Sequence, residues 1–72
     1  MNDLFMLATY YFNGYSDGFE GNFEAVDELK NQNIEDTSVK SLALFKRVGN
    51  KWVQLERYNY TRLKEIRKRG HS

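Results

Sequence analysis

The chain has 72 residues, of which 40% are hydrophobic, 29% charged and 15% aromatic, with five Gly and neither Pro nor Cys. A chain this short buries only about 60% of the surface its unfolded form exposes and has no disulfide to compensate, so it is read as one small domain, 1–72, near the lower edge of independent stability. The aromatic content excludes global disorder, and the longest mainly apolar run, Leu4 to Phe12, is about half of what a bilayer-crossing helix needs.

The net charge of +1 hides a split. Residues 1–36 carry eight acids against one base, Lys30, a net of −7, whereas residues 37–72 carry ten bases against two acids, Glu56 and Glu65, a net of +8. Such asymmetry calls for an electrostatic partner for one half, or for each half to satisfy the other within the fold. Asp3 precedes the apolar run and no basic residue does, unlike the start of a signal peptide, so a cytoplasmic location is expected.

Met1 to Phe12 reads MNDLFMLATYYF and runs into Asn13-Gly14, which fits a buried strand entering a turn. A short helix capped by Asn2 or Asp3 is the competing reading, because Leu4, Leu7, Ala8 and Tyr11 recur at helical spacing. Asn13 to Asn22 is rich in Gly, Asn, Asp and Ser, and is expected to be a loop or hairpin tip with a short returning strand from Phe19 to Phe23. A first helix, capped by Asn22, should run to about Gln32, with Phe23, Val26 and Leu29 as its buried stripe and acids in its first turns. Ile34 to Ser38 is a polar connector.

The run KSLALFKRV-GN-KWVQLERY reads as a hairpin closed by Gly49-Asn50, with Gly supplying positive φ. Uninterrupted pairing puts Val48 opposite Lys51, Lys46 opposite Val53, Leu44 opposite Leu55 and Leu42 opposite Arg57 on the core face. The expected core is therefore Leu42, Leu44, Val48, Val53 and Leu55, with Val26 and Leu29 from the helix. The other face collects Phe45, Arg47, Trp52 and, opposite Ser41, Tyr58. From Asn59 a closing helix capped by Asn59 or Thr61 should run to Gly70, with Arg67, Lys68 and Arg69 in its last turn. The predicted fold class is α+β: a small antiparallel sheet made of the N-terminal strand and the C-terminal hairpin, packed against one helix, with a short basic C-terminal helix.

Catalytic chemistry has little to stand on. The sole His71 lies in a tail, Cys is absent, and no Ser sits in a nucleophile-elbow context, so no enzyme, catalytic residue, metal site or cofactor is expected. Glu28-Leu29-Lys30 imitates the E-x-K fragment of metal-dependent nucleases, but it falls on a predicted helix and reads as a solvated face. The Gly residues match no phosphate-cradling motif.

Two features point to binding instead. Phe45, Trp52 and Tyr58 beside Arg47 have the composition of a base-stacking face; they are equally the floor on which a helix packs in a layered fold. Arg62, Lys64, Arg67, Lys68 and Arg69 form a basic cluster suited to nucleic acid or an acidic protein surface, or to a solvated helix end. Head-to-tail pairing of two copies through the acidic and basic halves is a further route.

Taken together, the strand Phe5 to Phe12, the helix opening NFEAVDEL and the hairpin LALFKRVGNKWVQLERY resemble the small βαββ proteins with which bacteriophages disable host machinery, such as several anti-CRISPR proteins and phage inhibitors of host RNA polymerase. The basic segment Arg62 to Arg69 departs from the acidic, DNA-mimicking subset of these inhibitors. The resemblance implies a non-catalytic inhibitor in the cytoplasm of a bacterial host, covering a surface of a host protein or ribonucleoprotein complex. The alternative is a small DNA- or RNA-binding module using the basic helix and the aromatic hairpin face. Arg62, Lys64, Arg67, Lys68, Arg69, Arg47 and Trp52 are the candidate partner-binding residues, and no membrane partner is expected.

Overall fold

A computed structural model describes residues 3–70; the readings that concern Met1, Asn2, His71 and Ser72 lie outside them. The elements are β1 (Phe5–Tyr11), β2 (Ser16–Gly21), α1 (Phe23–Glu35), β3 (Val39–Val48), β4 (Lys51–Tyr58) and α2 (Tyr60–Gly70). The fold is α+β, a four-stranded antiparallel sheet with two helices. Strand order is β2-β1-β3-β4. Because β2 and β3 are both antiparallel to β1, they run parallel with β1 between them, and α1 crosses one face of the sheet to connect them.

The apolar run of residues 4–12 is a strand, not a helix, and its alternation explains the choice. Phe5, Leu7 and Thr9 are buried on one face, while Met6 and Ala8 are half-buried on the other. The Gly-rich segment contributes a full edge strand, β2, longer and earlier than the expected return. Its connection to β1 is Phe12-Asn13-Gly14-Tyr15, where Gly14 at φ 89° closes the turn and Tyr11 N–H donates to the Tyr15 carbonyl at 2.9 Å.

Helix α1 is capped as expected, with Asn22 Oδ1 accepting from Ala25 N–H at 2.9 Å. It continues to Glu35, three residues past the expected end, because Ile34 packs against the core. Val26 is fully buried and Leu29 packs at the margin, but Phe23 is exposed, with its ring edge-on to Phe5 at 5.3 Å. Both helices contribute to the core, not one: Val26 from α1 and Leu63 from α2 lie with Phe5, Leu7, Val39, Leu42, Leu44 and Tyr58. Asn59 Oδ1 caps α2 by accepting from Arg62 N–H at 2.8 Å.

The hairpin turn is as read, with Gly49 at φ 62° and no positive φ at Asn50, the sign pattern of a type II′ turn. Beyond it the expected register fails. Pairing is uninterrupted from Val48↔Lys51 to Phe45↔Gln54, but a bulge then leaves Leu55 unopposed, and Leu44 pairs with Glu56, Ala43 with Arg57 and Leu42 with Tyr58. One extra residue exchanges the faces of everything that follows. Tyr58 turns inward, 7% exposed, and Arg57 turns out to solvent, whereas unbroken pairing would have pressed the Arg57 guanidinium against Leu42 in the core. Leu55 therefore leaves the core. Val48 and Val53 are exposed for another reason: the hairpin runs on past Phe5↔Lys46, the last pair that β1 makes with it.

Candidate interaction face

Because Val26 and Leu63 reach the same set of inward strand residues, the two helices form a single layer on one side of the sheet. Among the described residues, no helix or further strand is layered on the opposite face. Phe45 and Trp52 are thus not the floor of a helix, and Tyr58 does not accompany them, having crossed to the core with the bulge.

The strand registers give this open face as rows running across the strands. Arg47 stands opposite Trp52; next come Glu20, Met6, Phe45 and Gln54; then Gly18, Ala8, Ala43 and Arg57; and last Ser16, Tyr10 and Ser41. The third row is floored by the smallest side chains, so the larger residues on either side stand up around a trough. A cavity of about 390 Å³ opens at its β3–β4 end, between Tyr10, Tyr15, Lys40, Phe45, Gln54 and Arg57, a size within the range of roughly 300–1,000 Å³ typical of ligand sites. Lys40 reaches it because a register shift between Tyr10 and Tyr11 leaves it unopposed on β3. At the far end, the Arg47 guanidinium lies 5.5 Å from the Trp52 ring centre and its Nε donates to the Gly49 carbonyl at 3.0 Å, which fixes the indole and the charge together. Tyr11, which contributes to the cavity lining and packs its side chain against the core, has its phenol pushed above the ordinary range by burial, then by Asp36, Asp17 and Tyr15.

Comparison with family models, with curated proteins and with solved structures finds no match. The side chains themselves must carry the functional argument.

The candidate binding residues divide between two sides of the molecule. Arg47 and Trp52 are on the open face, while the α2 cations belong to the helical layer. Within α2 they are not equivalent. Arg67 is a structural residue: its Nε donates to the Ile34 carbonyl at 2.6 Å, and its Nη2 donates to the Asp36 and Val39 carbonyls at 2.5 and 3.0 Å. It ties off the C-terminus of α1, where carbonyls lack helical partners, and pins α2 to the start of β3. Arg62 packs its guanidinium 4.4 Å from the Tyr58 ring centre, Lys64 lies 5.6 Å from that of Tyr60, and Arg69 is 3.9 Å from Glu65. Lys68 is exposed.

Residues 28–30 also read differently in three dimensions. Glu28 is exposed, but the Lys30 side chain is only 12% exposed and meets Asp27 at 3.0 Å, Glu56 at 3.7 Å and the Tyr58 ring at 5.9 Å. Burial works against its charge, yet the Asp27 hydrogen bond and the neighbouring Tyr58, Glu56 and Asp27 raise its pKa overall. Tyr58 O–H donates to Glu56 Oε1 at 2.6 Å, and this bond, reinforced by burial, raises the phenol. These groups satisfy one another at the seam between α1 and β4. Among the described residues, no helix is long and apolar enough to cross a membrane.

Residues absent from the sequence-based site, Tyr10, Met6, Arg57 and Lys40, prove to belong to the open face. The alternation of Met6, Ala8 and Tyr10 against Phe5, Leu7 and Thr9 held the signal for β1. Nothing local announced Arg57, whose side depends on the bulge.

Proposed function

We propose that this chain is a non-catalytic interaction protein that works by laying the open face of its sheet on a partner macromolecule. The observation that carries this reading is an aromatic and cationic face, with Trp52, Phe45, Tyr10, Arg47 and Arg57, left without a covering layer among the described residues, on a sheet whose other face is packed under two helices. Large aromatics and Arg are the residues that supply most of the energy at binding surfaces. The resemblance to phage inhibitors extends the proposal: the partner is a host protein or ribonucleoprotein complex, disabled by occupation of one of its surfaces in the bacterial cytoplasm. A second reading places the contact on the basic end of α2, favoured by the exposure of Lys64 and Lys68.

Capture from a bacterial lysate, with and without nuclease, separates the two. Trp52→Ala combined with Arg57→Gln should abolish capture of whatever the wild-type chain retains, while Lys64→Gln with Lys68→Gln should leave it intact. The reverse pattern, in folded variants, overturns the proposal in favour of α2.

A further inference from the structure

The occupant of the open face can be read from where its aromatics and charges stand. Tyr10 on β1, Phe45 on β3 and Trp52 on β4 form a diagonal across three adjacent strands. Tyr10 pairs with Ser41, four residues from Phe45, so their backbone positions lie about 14 Å apart along the strands, with that of Trp52 one row, about 7 Å, beyond Phe45. Between the first two lies the trough floored by Gly18, Ala8 and Ala43. Cations accompany the diagonal: Lys40 near Tyr10, Arg57 at the trough, and Arg47 on Trp52. Among the described residues the register brings one carboxylate to this face, Glu20, and it sits toward the opposite edge on β2.

Spaced, partly exposed rings bordered by cations match a polymer that alternates flat apolar groups with negative charges. Bases stack on aromatic side chains while Lys and Arg follow the backbone, and only an unpaired strand presents its base faces in this way. A duplex cannot, and an acidic peptide surface would use the cations but leave the rings idle. We infer that the open face binds single-stranded nucleic acid, with bases on Tyr10, Phe45 and Trp52 and phosphates on Lys40, Arg57 and Arg47. This rests on the reading of that face as the interaction surface and names its ligand; for an inhibitor, it makes an exposed single strand of a ribonucleoprotein the thing covered.

Trp52 is the sole tryptophan, so its emission reports directly on the face. Oligothymidylate and oligouridylate of about a dozen nucleotides are titrated into the intact chain, following Trp52 fluorescence and the anisotropy of labelled strands. Saturable quenching is expected, with log affinity falling against log salt at a slope of about −2 for three phosphate contacts, and the two strands distinguish DNA from RNA preference. Arg57→Gln should flatten that slope by about 0.7, and Tyr10→Ala, at an exposed position, should weaken binding about tenfold without unfolding the chain. Three results overturn the inference: no quenching and flat anisotropy with both strands at low salt; equal affinity for the corresponding duplex; or binding indifferent to Tyr10→Ala and Arg57→Gln but lost in Lys64→Gln with Lys68→Gln. The first result leaves the lysate capture to decide whether the face serves a protein partner instead, so the two proposals fail separately.

Discussion

The two faces of this sheet are built from interleaved residues of the same strands and differ mainly in what lies upon them. On the helical side, Leu7, Leu42 and Leu44 are each 1% exposed, beneath Val26 and Leu63. On the open side, Phe45 and Trp52 are half-buried, with the Arg47 guanidinium over the Trp52 ring. The difference teaches that aromatic content does not mark the core here. What marks it is the reach of the two short helices: Phe5 and Tyr58 are buried there beside the aliphatic set, while Phe45 and Trp52, on the other face, stay half-exposed.

The sharpest way to break this comparison is within the hairpin. Leu44→Ala should cost about 2–5 kcal/mol, enough to unfold much of so small a domain at ambient temperature. Leu55→Ala, at the bulge and 49% exposed, should cost less than about 1 kcal/mol. Urea or thermal melts of the two variants decide between the bulged and the unbroken register, because unbroken pairing makes Leu55 the core partner of Leu44 and predicts similar losses.

A second contrast divides neighbours on α2. Arg67→Gln removes a charged fork from three backbone carbonyls and should cost about 1–3 kcal/mol, whereas Lys68→Gln should stay within about 0.5 kcal/mol. Arg67→Lys should not restore the wild-type melting temperature, since an ammonium cannot span all three acceptors with the planar geometry of a guanidinium. Equal melting temperatures for the Arg67 and Lys68 variants would return Arg67 to the solvated cations and remove it from the frame of the fold.

Short-range chemistry was legible in the sequence: the Asn22 and Asn59 caps, the Gly49 turn, the strand that ends in Asn13-Gly14, and the α+β class all follow from side chains acting within a few residues of themselves. What escaped was set at longer range. Whether Tyr58 or Arg57 points inward depends on one extra residue in β4, and period-2 alternation carries no memory of where a bulge will fall. Similarly, Arg67 looks like any helix-end cation until α1 and β3 bring their carbonyls to it from 33 and 28 residues away. The candidate site was legible by half. Arg47 and Trp52 were placed together by the turn, but Tyr10, Arg57 and Lys40 join them only once β1 and the irregular pairings are known.

The smallest expected effect lies where the helical layer returns to the sheet. Asp36 accepts from the Ser38 hydroxyl at 2.6 Å and from Ser38 N–H at 2.9 Å, closing the turn that leads into β3. Those two bonds hold its carboxyl below the ordinary range; burial opposes them slightly, and the nearby Arg67 charge adds to them. A carboxyl that binds its proton less readily in the folded chain than in the unfolded one favours folding while it is ionised. Its contribution is therefore complete above the unfolded value of about 3.9 and is lost as pH falls through the lower, folded value. Asp36→Asn keeps an acceptor for Ser38 but has no proton to exchange. The difference in melting temperature between the wild type and this variant should hold steady from neutral pH to about pH 5, then shrink on further acidification. In an Arg67→Gln background the shrinkage should start at the same pH but be smaller and finish at a higher pH, because one of the influences that depress the folded carboxyl has gone. A difference that widens toward acid would mean that the turn favours the protonated side chain, which the Ser38 bonds do not allow.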